Sequence, residues 1–193
     1  MKIKVAALIL GLTIFIFPSQ TALAAYTENW EIKDFKAEIS PDQYGSIKVN
    51  EQITADFTNE SHRGIERSIP TEYTNGKKTP IDFLESDQWS NYIYSENGYK
   101  KLQLTTHDDS QLTGEATFNI NYTAQDTVLF QAETEELYWN INGSEWPVAT
   151  DNVEATIKLP PNLDQSQLKF ICFTGVYGAE TENCEYELNA DSV

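Results

Sequence analysis

Histidine and cysteine are scarce in this chain, at two residues each, and no apolar run is long enough to cross a bilayer. The longest, Val5 to Phe17, is 13 residues without a charge, against the ~20 a spanning helix needs. With only His62, His107, Cys172 and Cys184 available, a zinc site of four nitrogen and sulfur ligands has little to draw on. There is no G-x-S-x-G nucleophile turn, no glycine-rich phosphate loop, no repeat of fixed period and no linker long enough to separate two domains. No cofactor or metal is expected.

What is present begins with an export signal. Lys2 and Lys4 precede the apolar run, Pro18 to Gln20 break it, and Ala22-Leu23-Ala24 offers the small-x-small pattern that signal peptidase accepts. Residues 1–24 are therefore expected to be removed, leaving a single extracytoplasmic domain over 25–193, or 169 residues. Without Lys2 and Lys4, 11 basic residues stand against 30 acidic ones, a net charge of −19. Such a surface repels nucleic acid and anionic lipid heads. In an exported chain Cys172 and Cys184, 12 positions apart, read most simply as a disulfide, expected to stabilise by about 2–3 kcal/mol.

The dominant pattern is alternation. Trp30 and Ile32 share a phase, and Phe35, Ala37 and Ile39 resume one residue out of step, which predicts a β-bulge at Lys33–Asp34. After a turn at Asp42–Gly45, Ile47, Val49, Ile53, Ala55 and Phe57 fall on one face. Asn97-Gly98 between apolar runs predicts a two-residue hairpin, and Ala116, Phe118, Ile120 and Tyr122 alternate again. Val153, Ala155, Ile157 and Leu159 make a further strand, and Leu168, Phe170 and Cys172 the last long one, paired with Tyr186 and Leu188. A single helical turn is expected near Thr134–Leu137. Nine or more short strands predict an all-β fold: an antiparallel β-sandwich with a C-terminal disulfide hairpin, an open β-barrel being the alternative.

Two polar features stand out. Glu51 interrupts the apolar face of its strand, and a lone buried carboxylate costs several kcal/mol, so it needs a partner. Arg67, downstream across a connection, is the expected one. The second feature is the aromatic density of Glu136 to Trp146, in which Tyr138, Trp139 and Trp146 form either a groove for sugars or peptides or packing against the core. No catalytic residue is assigned, because neither histidine has a visible oriented partner.

Several segments together resemble a known family. They are Tyr44 to Ile53, Arg63 to Pro70, Phe118 to Tyr122, Glu136 to Trp146, Val153 to Pro160, and Cys172 and Cys184 around Thr174-Gly175. From about Trp30 to Leu188 the chain is similar to the N-terminal extracytoplasmic domain of the YciQ-like predicted membrane proteins, domain of unknown function 2207. The resemblance implies a β domain outside the membrane, followed by transmembrane helices that would lie beyond Val193, and it carries over no catalytic residues. Two functions remain open. One is a non-catalytic module that senses or binds an extracytoplasmic ligand, protein or cell-wall polymer. The other is an envelope-glycan enzyme using paired carboxylates.

Overall fold

Alternating side chains become sheets because each strand hides one face and wets the other. In the computed structural model, residues 28–72, 76, 78–130, 134–159, 166, 168–175, 182, 184–189 and 192–193 are described. The expected signal peptide lies outside them. Among the described residues ten strands form: β1 (Glu31–Pro41), β2 (Ile47–Asp56), β3 (Gly64–Pro70), β4 (Ile81–Leu84), β5 (Ser90–Glu96), β6 (Tyr99–Thr105), β7 (Glu115–Ala124), β8 (Val128–Phe130), β9 (Glu135–Leu137) and β10 (Thr150–Ile157). Five make one sheet in the order β10-β1-β2-β7-β4, three make a second in the order β3-β6-β5, and β8 pairs with β9. The chain is all-β, in separate sheets rather than a closed barrel.

The two larger sheets share one core. Ile32, Phe35, Ile39, Ile53, Phe57, Phe118 and Ile120 from the first meet Ile65, Ile69, Leu102 and Leu104 from the second, with Trp89 stacked on Phe118 at 4.5 Å. The expected bulge is present: pairing between β1 and β2 slips between Ile32 and Asp34, which keeps both halves of the apolar set inward. The Asn97-Gly98 turn joins β5 to β6 with positive φ at both residues, 51° and 80°, the mirror-image turn whose twist suits a hairpin.

Three local expectations give way. β10 runs parallel to β1, with Ile32 opposite Thr150 and Ile39 opposite Ile157, whereas the other ladders between named strands are antiparallel. As an edge strand it leaves Val153 45 % exposed. Glu135–Leu137 is not a helical turn but β9, held by pairing with Val128–Phe130. Leu168 to Cys172 form no strand, and Ile171, Phe173, Tyr186 and Leu188 are exposed. The Cys172–Cys184 disulfide is formed, although Cys172 lies in chain without a ladder.

Candidate functional site

Between the sheets sits a buried charged cluster. Glu51 on β2 and Arg67 on β3 both point inward from apolar faces, Glu51 lying between Ala37 and Ile120 in the register. Arg67 donates from Nε to Glu51 Oε2 at 2.8 Å and from Nη2 to Oε1 at 2.7 Å, while the Tyr122 hydroxyl donates to Oε1 at 2.8 Å. The remaining guanidinium protons go to three carbonyls: Ser68 at 3.1 Å, Asn142 at 3.2 Å and Ile141 at 2.8 Å. This bidentate geometry suits a buried guanidinium, which loses little by fixing its planar fork. Burial opposes the charge on Arg67, but the Glu51 carboxylate overcomes it and raises the guanidinium pKa. Burial, and then that same carboxylate, hold the Tyr122 phenol well above its ordinary range.

The cluster fixes the loop after β9. Arg67 stacks against Phe35 at 5.3 Å and Trp146 at 5.9 Å, and Trp146 donates its indole N–H to the Asn142 carbonyl at 2.6 Å. Gly143, at φ +80°, passes so close that a methyl group there would overlap Arg67 Nη1. We expect Gly143→Ala to cost about 1–3 kcal/mol, from a left-handed backbone and overpacking together. Urea unfolding measures the loss, and a changed near-ultraviolet circular dichroism spectrum would place it at Trp146.

The structure thus brings Glu51 and Arg67 together and divides the three aromatics. Tyr138 is 60 % exposed, whereas Trp139 and Trp146 are half-buried against the core, Trp139 lying 6.3 Å from the Tyr122 ring. Trp146 also lines a groove of about 370 Å³ with Glu28, Trp30, His62, Gly64, Ile65, Glu66, Glu145 and Pro147. Three carboxylates and two indoles line it, with no lysine or arginine among them. Period-two reading could not assemble these residues, since they come from three separate parts of the chain.

One wall continues onto the outer face of the second sheet. There Glu66 accepts hydrogen bonds from the Tyr94 hydroxyl at 2.6 Å and Gln103 at 2.8 Å, and pairs with Lys101 at 3.2 Å. Tyr92, exposed, stacks on Tyr94 at 5.4 Å. Burial would raise the Glu66 pKa, but the donors Tyr94, Gln103 and Lys101 outweigh it and hold the carboxyl below its ordinary 4.5. A depressed folded pKa adds stability that is full above the unfolded value and lost as pH falls through the folded one. We therefore expect Glu66→Gln to flatten the fall in Tm below about pH 4.5, as thermal unfolding across pH 3 to 6 would show.

Neither histidine has triad geometry. His107 shares a hydrogen bond with Ser90 Oγ at 3.1 Å, but its second nitrogen meets the Asp87 carbonyl at 3.3 Å rather than a carboxylate. His62 packs between Trp30 and Phe57, each ring centroid 5.5 Å away, with Glu60 3.6 Å from Nε2. Among the described residues no three His, Cys, Asp or Glu side chains are grouped to hold a metal, and no helix is long and apolar enough to cross a membrane.

A family model described as "Predicted membrane protein (DUF2207) N-terminal domain" matches residues 31–191. No curated protein matches the chain. Among solved structures, a "putative protease" from Parabacteroides distasonis is similar at 12 % identity over 49 % of this chain, with a TM-score of 0.27. This chain covers 22 % of that structure, and a likeness so slight carries no argument about fold or activity.

Proposed function

Because this chain belongs to the family of predicted membrane proteins sharing the DUF2207 N-terminal domain, we propose that it is the extracytoplasmic, non-catalytic binding module of such a protein. The observation that carries this reading is the groove itself: an acidic recess edged by the half-buried Trp146, whose loop the buried Glu51–Arg67 pair fixes through the Ile141 and Asn142 carbonyls. Fixed rings beside charged groups recognise a ligand through contact area and electrostatics. The Cys172–Cys184 disulfide fits an oxidising exterior. The glycan-enzyme reading needs a carboxylic acid kept protonated near neutral pH. Glu66 is shifted the other way, so it does not fit the role of that acid.

The test uses the full-length protein on intact cells, with a photoreactive phenylalanine analogue at exposed Tyr92 or Tyr138. A module yields discrete light-dependent adducts formed outside the membrane. Absence of adducts at both positions would overturn the reading. So would release of reducing sugar ends from envelope material by the purified chain, if that release is lost in the Glu66→Gln, Glu145→Gln double variant.

A further inference from the structure

The groove lies along a free strand edge. Among the described residues β3 has one strand neighbour, β6, since it ends the three-stranded sheet. The Thr106 amide donates to the Arg63 carbonyl at 2.9 Å, and the register then pairs Ile65 with Leu104 and Arg67 with Leu102. Alternation in an antiparallel ladder turns the amides and carbonyls of Gly64 and Glu66 away from β6, toward the groove both residues line. One step further on, Ser68 is covered: its carbonyl accepts from Arg67 and lies 3.6 Å from where a Gly143 methyl would sit. The open edge is therefore short, bounded at one end by the loop that Arg67 pins.

We propose that this edge receives an extended, Lys- or Arg-bearing segment of a partner protein by strand addition; the assignment rests on the binding-module reading above. Main-chain bonds to Gly64 and Glu66 would extend the second sheet by one short strand. Successive side chains of the incoming segment point to opposite faces. On the outer face a cationic side chain meets Glu66, with Glu145 across the recess, and on the inner face an apolar one meets Ile65 and Trp146. Charge selects the partner. Among the described residues, only Glu66 of the three lining carboxylates has a basic partner, Lys101 at 3.2 Å from outside the lining. Glu28 accepts from the Trp30 indole and Glu145 from the Tyr99 hydroxyl, so the recess stays net acidic, and a chain of net charge −17 repels a second copy of itself at this edge.

Intrinsic tryptophan fluorescence reads occupancy, because Trp30 and Trp146 line the groove. The probe is an eight-residue peptide alternating lysine and valine, titrated into the purified chain. Three comparisons accompany it: a glutamate–valine peptide, a lysine–valine peptide N-methylated at alternate residues, and spermine. Strand addition predicts saturable binding of the first peptide and none of the acidic one. N-methylation should weaken it at least tenfold, and so should the Glu66→Gln, Glu145→Gln double variant, whose circular dichroism spectrum should match the parent's. Equal binding of the N-methylated peptide, or complete displacement by spermine, would reduce the effect to charge alone and overturn the proposal. So would no binding of the basic peptide, unchanged binding by the double variant, or concentration-dependent dimerisation that the peptide reverses. If the peptide fails while the cell-surface adducts from Tyr92 or Tyr138 persist, the edge is the wrong site and the module reading stands.

Discussion

Arg67→Met is expected to lower the unfolding free energy by about 3–5 kcal/mol, because it strands the Glu51 carboxylate between two sheets with one remaining donor, Tyr122. The loss should exceed that of the double change Glu51→Leu with Arg67→Met, which removes both charges and leaves an apolar contact in a core of Phe35, Ile53 and Ile120. The double variant still forfeits the bonds to Ser68, Ile141 and Asn142, so it should not regain the whole parental stability. Urea unfolding of the parent, both single variants and the double variant gives the coupling directly. A loss below 1 kcal/mol for Arg67→Met would mean that Glu51 relaxes to water, and the account of the cluster as a buried clamp would fail.

Gly64→Ala should be nearly as damaging, at about 3 kcal/mol, the upper end of what overpacking costs. A methyl group there would collide with the Leu104 carbonyl oxygen and come within 3 Å of the Leu104 carbonyl carbon and Thr105 Cα. Those atoms are backbone, so relief requires the strands to part. Native-state hydrogen exchange should show the amides of Ile65 and Leu104 losing protection together, while those of β2 and β7 keep theirs. Uniform loss across both sheets would indicate global destabilisation instead.

How much of this could be read beforehand depended on whether a signal was local. The β2 face, the slip at Lys33–Asp34 and the Asn97-Gly98 turn are set by adjacent residues, and alternation or turn chemistry exposes them. Glu51 announced itself by breaking an apolar face, and Arg67 was the near cation able to answer it. β3 stayed hidden for the same reason. With an arginine between Ile65 and Ile69 on its inward face, its alternation reads as a polar connection until the charge is seen to be buried. The parallel partnership of β10 with β1 joins residues more than 110 positions apart, and no local period encodes it. Thr134–Leu137 shows tertiary pairing overriding a weak helical preference. The groove was the least legible element, since Trp30, His62, Glu66, Glu145 and Trp146 meet only after both sheets and the loop after β9 are in place.

The union of β1 with β10 has a mechanical consequence. Both strands point the same way, so tension applied at the start of β1 and the finish of β10 acts along the strands in opposite directions. The rungs from Ile32–Thr150 to Ile39–Ile157 then carry that force side by side, instead of peeling one after another as in a hairpin opened from its mouth. Under such tension the domain should yield abruptly and at high load, and single-molecule pulling from these two points would record one tall rupture.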